Sequence, residues 1–184
     1  MATFRTSRPV SVADVTKPSI LLVGLPGSGK STVGRAVAEG LGREFLDFDA
    51  EIERREGATV AEIFAASGEP RFRALERKLT EELVEVRNFV LAPGGGWVSN
   101  PGCLELLRPV ATVIYLQVEP SRALTRMAAG AASRPLLRRP DPLSELKTLL
   151  AARESMYLLA DHTVRVDFVR ENEVVATITA LAGL

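Results

Sequence analysis

The residues with the clearest chemical pattern run from Gly24 to Ser31 and read GLPGSGKS. Gly24, Gly29, Lys30 and Ser31 satisfy G-x-x-x-x-G-K-[ST], a spacing suited to gripping the phosphates of a nucleotide. Gly27 and Gly29 let the backbone curl around Ser28, so that successive N–H groups point at anionic oxygens. Lys30 reaches the β and γ phosphates, and the Ser31 hydroxyl suits a Mg²⁺ ion. A helix beginning at this point adds its positive end. A glycine-rich turn with an incidental lysine is the plainer alternative. The apolar run SILLV before the loop and the amphipathic TVGRAVAEGLG after it favour the phosphate grip.

Two acids come next. Asp47 and Asp49 flank Phe48 at the end of EFLDFD. If that strand lies beside the one feeding the phosphate loop, its carboxyl end faces the phosphates. Asp47 would then join the Mg²⁺ sphere, and Asp49 would accept a hydroxyl proton or hold a substrate alcohol. The other reading is a strand-end turn with Asp49 capping the next helix, and the residues alone leave both open. Gly94-Gly95-Gly96 follow the apolar NFVLA, where three glycines at a buried strand's end admit a ligand. Arg153 falls on the apolar stripe Leu146, Leu149, Leu150, Tyr157 of its own segment, so its charge needs a partner or a pocket. A bound carboxylate would serve a guanidinium fork well.

The elements that must position these residues are legible in outline. SILLV, EFLD, NFVLA, VATVIYL and HTVRV predict short strands. Helical spacing follows the phosphate loop (Val33, Ala36, Val37, Leu41), with Gly40 and Gly42 offering a stop. Thr59 to Glu62 predict a capping box, and Phe72, Leu75, Leu79, Leu83 and Val86 mark another helix. Pro120 opens a helix, Asp141 and Pro142 open the next, and ENEVVATITALAGL closes the chain. Strands alternating with helices imply a parallel sheet covered on both faces.

The bulk properties exclude several classes. At 184 residues, 46% hydrophobic and 25% charged, the chain suits one soluble domain with no internal repeat. Lys+Arg and Asp+Glu balance at 23 each, which argues against a nucleic-acid or anionic-membrane partner. One cysteine, Cys103, forms no disulfide framework and points to a reducing cytoplasm. One histidine, His162, rules out a histidine-rich metal cage. No apolar run is long enough for a membrane span. The first residues lack the apolar centre of a secretory signal, and Asp14 counts against an organellar presequence, so residues 1–17 are expected to be a disordered tail.

Taken in order, GLPGSGKSTVGRAVAEGLGREFLDFDAEIERREGATVAEIFAASGEPRFRALE, VLAPGGGWV, SRPLL and RESMY resemble the shikimate kinase family, over about Ser19 to Val166. The resemblance implies a P-loop NTPase fold of the nucleoside-monophosphate-kinase kind, a three-layer α/β/α arrangement with a five-stranded parallel sheet. It implies transfer of the γ-phosphate of ATP to the 3-hydroxyl of shikimate, on the route to chorismate and the aromatic amino acids. Position by position, it places Gly27, Ser28, Gly29, Lys30, Ser31 and Thr32 on the ATP phosphates and Ser31 and Asp47 near Mg²⁺. Asp49 falls where the family holds the shikimate hydroxyls and is the candidate base. Arg73, supported by Glu76, and Arg153 fall on the arginines that bind the shikimate carboxylate. Gly94, Gly95 and Gly96 would approach the ring. Arg134 falls on the arginine of a lid and, with Lys30 and Asp49, completes the catalytic set. Arg126 corresponds loosely to an arginine near the adenine. The implied organisation is one kinase domain over 18–184, with a substrate-binding region at 49–80 and a lid at 128–141. A monomer is expected.

The chain departs from the family at a few positions. Trp97 stands where alanine is usual, Pro93 where threonine or serine is, Phe48 where a small polar residue is, and Met156 where proline or leucine is. Trp97 would either narrow the substrate pocket or point into the core. Competing functions are a kinase for another carboxylated polyol such as gluconate, and a kinase-like sensor that binds without turnover. A sensor would be expected to lose Lys30, Asp47 or Asp49, and all three are present.

Overall fold

The computed structural model describes residues 17–129 and 135–182. Strand β1 (Ser19–Val23) is buried at all five positions and β3 (Phe89–Ala92) at all four. Neighbouring strand residues point to opposite faces, so full burial requires cover on both sides of the sheet. With β2 (Glu44–Asp47), β4 (Ala111–Gln117) and β5 (His162–Arg165) these strands form one parallel sheet in the order β2-β3-β1-β4-β5. Ser19 pairs with Ala111 and Val23 with Tyr115, while Asp47 pairs with Ala92.

The reading of the two acids is conditional on β2 lying beside β1, and that condition is not met. β2 does not adjoin β1, because β3 lies between them. The acids of β2 still reach the carboxyl edge beside the phosphate loop, but the loop after β3 is placed between the two.

The helices begin and end where local chemistry permits. α1 (Lys30–Leu41) starts behind Gly29 and stops at Gly42, both in the left-handed region at φ 96° and 64°. α2 (Phe48–Glu56) is capped by Asp47, whose side chain accepts from the Asp49 and Ala50 amides. The cap is therefore Asp47 and not Asp49, which leaves the second carboxylate unoccupied by that task. α3 (Val60–Leu83) opens on the Thr59/Glu62 capping box and is broken at Gly68 (φ 75°, ψ 174°), with Pro70 restarting the helix beyond it. α4 (Cys103–Leu107), α5 (Pro120–Ala129), α6 (Pro142–Tyr157, capped by Asp141) and α7 (Glu171–Leu181) complete the set. α1 packs on α7, α5 on α6, and α3 on both α2 and α4. Among the described residues, no helix is long and apolar enough to cross a membrane.

Candidate active site

Three consecutive strands deliver the chemistry to one edge of the sheet, where open parallel sheets bind ligands. β1 ends in the phosphate loop, β2 in Asp47 and Asp49, and β3 in Gly94 to Gly96. A cleft of about 1170 Å³ opens there, lined by Pro26 to Val33, Asp47, Asp49, Gly94 and Gly95. Its other walls include Val60, Ala61 and Phe64 of α3 and Arg126 and Met127 of α5.

Within the phosphate loop, Lys30 is buried, and its Nζ donates to the carbonyls of Gly24 at 2.9 Å and Leu25 at 3.0 Å. The ammonium is thus held at the mouth of the loop. The Ser28 hydroxyl is buried without a hydrogen-bond partner, an orphan that an anionic ligand would satisfy. A Cβ on Gly27 would lie 2.5 Å from the Ala123 carbonyl, so the loop packs too tightly there for a side chain.

Ser31 Oγ donates to Asp47 Oδ2 at 2.5 Å. The other oxygen of Asp47, Oδ1, accepts from the Asp49 amide at 3.1 Å. A hydroxyl and a carboxylate side by side are hard oxygen donors of the kind Mg²⁺ takes from protein, the remainder coming from water and phosphates. Among the described residues there is no group of three or more His, Cys, Asp or Glu placed to hold a metal.

Asp49 stands apart. Its carboxyl is pushed up to about 6, first by burial and then by the charge of Asp47, with Lys30 and Arg73 opposing. Its Oδ1 is buried without a partner. A Cβ on Gly94 would lie 2.9 Å from that oxygen, and one on Gly95 would lie 2.6 Å from Pro26 Cδ. The glycine loop is therefore pressed between the acid and the phosphate loop, and only a bare backbone fits.

Arg73 and Arg153 do not line this cleft but meet the glycine loop. Arg73 donates through Nη1 to Glu76 Oε2 at 2.6 Å and through Nη2 to Glu69 Oε1 at 2.7 Å. Its guanidinium lies where a Cβ on Gly96 would approach to 2.3 Å. Glu76 is fully buried, and burial pushes its carboxyl up to about 7 despite the Arg73 charge. Arg153 Nη1 donates to the Gly95 carbonyl at 3.2 Å. Arg73 and Arg153 thus meet the same three-glycine loop from α3 and α6.

Trp97 does not narrow the cleft. It is 0% exposed, its Nε1 donates to Thr80, and its ring meets Phe48 edge to face at 6.0 Å. Arg126 lines the cleft and donates from Nη2 to the Val166 carbonyl. Arg134 lies outside the described residues, as do 130–134 of the expected lid and 1–16 of the expected tail. The described part of the lid region contains a 3₁₀ turn, Pro135–Arg138, and its Leu136 and Arg139 line the cleft. Tyr157, expected only as part of the apolar stripe, also contributes to the site. Its hydroxyl donates to the Gly95 carbonyl at 2.6 Å. Its spacing of four from Arg153 already placed both on one helix face.

The shikimate kinase family model matches residues 26–182. The shikimate kinase of Mycobacterium avium (strain 104) is 44% identical over 155 residues, covering 84% of this chain and 86% of that protein. The solved structure of shikimate kinase from Acinetobacter baumannii in complex with shikimate superposes with a TM-score of 0.85 at 39% identity, covering 92% of this chain and 94% of that one. A gluconokinase from Sinorhizobium meliloti 1021 superposes with a TM-score of 0.57 at 23% identity, over 90% of this chain and 91% of that one, a likeness of fold alone.

Proposed function

The chain belongs to the shikimate kinase family, and from that premise we propose that it transfers the γ-phosphate of ATP to the 3-hydroxyl of shikimate. The observation that carries the proposal is the convergence, in one cleft, of the phosphate loop, the half-buried Asp49 and the bare Gly94–Gly95 backbone. Phosphoryl transfer needs the acceptor alcohol beside the γ-phosphate and in line with it, and one cleft lined by both the phosphate loop and Asp49 supports that arrangement.

In this reading the nucleotide phosphates occupy the N–H groups of Gly27 to Thr32, with Lys30 on the β and γ oxygens. Asp49 accepts a hydrogen bond from the shikimate alcohol and takes its proton as the oxygen attacks phosphorus and ADP leaves. Its raised pKa keeps it a workable proton acceptor near neutrality. Arg73 and Arg153 hold the shikimate carboxylate beside Gly94, Gly95 and Gly96, which fixes the ring in register. Ser31 and Asp47 would hold Mg²⁺, which would supply neutralisation of the phosphate charge. Arg134, carried by a lid over 128–141, would add positive charge to the transferring group as the cleft closes. The region 49–80 supplies the acceptor's side of the cleft, within one kinase domain over 18–184. The enzyme is read as a cytoplasmic monomer, and its one cysteine, buried, agrees with a reducing compartment.

Phosphorus NMR of the product tests the reading. One new phosphomonoester on shikimate for each ADP formed is expected. ATP hydrolysis to free phosphate, independent of shikimate, would overturn it.

A further inference from the structure

Two groups converge on a single peptide oxygen at the centre of the site. The Gly95 carbonyl accepts from Tyr157 at 2.6 Å and from Arg153 at 3.2 Å. On its other flank Gly95 abuts the phosphate loop, since a Cβ there would lie 2.6 Å from Pro26 Cδ. Tyr157 is 1% exposed and stacks on Tyr115, with ring centroids 5.1 Å apart and planes 19° apart. The ring is thereby held in one orientation, and burial pushes its hydroxyl up to about 12, so it remains a donor across the working range. The hydroxyl of Tyr115 in the same stack is buried with no hydrogen-bond partner. Of the two neighbouring phenols, one is aimed at the glycine loop and the other is not.

We infer that Tyr157 is a positioning residue for the phosphoryl acceptor: its hydroxyl draws the Gly95 carbonyl toward α6 and so fixes the peptide plane against which the acceptor rests. Across a trans peptide the N–H of the next residue points opposite to the carbonyl. Anchoring the Gly95 oxygen on α6 therefore turns the Gly96 N–H away from α6. The shorter bond comes from Tyr157, so the carbonyl makes less demand on Arg153, whose guanidinium also bonds to the phenol and keeps its other donors for an anionic group. Without the phenol, Arg153 alone would hold the carbonyl, and the loop and the anionic group would compete for the guanidinium's donors.

The inference rests on the acceptor reading given above, and the test separates the two. Wild type, Tyr157→Phe and Tyr115→Phe are compared in steady-state turnover with shikimate and ATP, in calorimetric binding of shikimate alone, and in thermal melting. Loss of one such hydrogen bond is expected to raise the KM and Kd for shikimate about five- to tenfold in Tyr157→Phe, with the KM for ATP within about twofold of wild type. Tyr115→Phe, which removes the partnerless hydroxyl, should match wild type in both. A Tyr157→Phe enzyme whose shikimate Kd and KM are unchanged, or whose ATP and shikimate KM values rise together, would overturn the positioning role. A lowered melting temperature with unchanged shikimate affinity would also overturn it, because it would mean a structural role only. Failure of the wild type itself to turn over shikimate would overturn the acceptor reading and this inference with it.

Discussion

The indole Nε1 of Trp97 donates to the Thr80 hydroxyl at 2.9 Å, and Thr80 in turn donates to the Glu76 carbonyl at 2.7 Å. This chain of bonds ties the residue immediately after the three glycines to the helix that carries Arg73 and Glu76. The indole also meets Phe48 edge to face, and Phe48 separates Asp47 from Asp49. Trp97 is thus a core residue on which the acid loop, the glycine loop and the helix of Arg73 all lean.

Replacing Trp97 with alanine is expected to cost about 3–5 kcal/mol of stability through the cavity left behind. Thr80→Val, which leaves the indole N–H unpaired, should cost about 1–3 kcal/mol. Urea unfolding measures both. A Trp97→Ala protein within experimental error of wild type would contradict its place in the core.

How much of this was legible in the sequence differs by kind of feature. Gly24 to Ser31 combine a local spacing with a local context, so the loop and its flanking strand and helix were readable. The Thr59/Glu62 box and the Asp141 start are likewise interactions within a few residues. Strand order is not local, and nothing in EFLD or NFVLA says that β3 sits between β2 and β1. The direction of Trp97 depends on where Thr80 and Phe48 lie in space. The Gly95 carbonyl joins residues 58 and 62 positions apart, which no periodicity reports. Asp47 took the capping role because its backbone stands at φ −90°, ψ 123°, the extended conformation of a cap, a detail set by the end of β2.

Asp49→Asn removes the proposed proton acceptor while keeping the shape. Turnover should fall by about 10²–10⁴-fold, with the KM for ATP little changed, as steady-state kinetics would read. Full activity would remove Asp49 from the mechanism.

Gly94→Ala places a methyl 2.9 Å from Asp49 Oδ1 on a residue whose φ lies outside the left-handed region. The carboxylate must move, so kcat on shikimate should drop by about tenfold or more with nucleotide affinity retained. Unchanged kcat would show that the acid and the glycine loop are not in functional contact.

Arg153→Ala should raise the KM for shikimate by about ten- to a hundredfold through loss of a charged hydrogen-bond donor. A KM unaffected by the change would remove Arg153 from the carboxylate clamp.

Glu76 has a sign that melting can read. Its folded-state pKa is raised from 4.5 to about 7, mainly by burial. Between those values the folded state binds more protons than the unfolded state, so stability falls as pH rises through that window and levels off above it. Asp49, raised from 3.8 to about 6, adds a loss of the same sign at lower pH. Wild type should therefore melt lower at about pH 8 than at about pH 5, and Glu76→Gln should reduce that difference. An equal pH dependence in the variant would contradict the buried, proton-binding state of Glu76.

The most direct test is steady-state ADP release with ATP and Mg²⁺, run in parallel with shikimate, gluconate and quinate. The account predicts rapid turnover with shikimate and little with the other two. Turnover that favours gluconate, or ATP binding without turnover on any of the three, would contradict it.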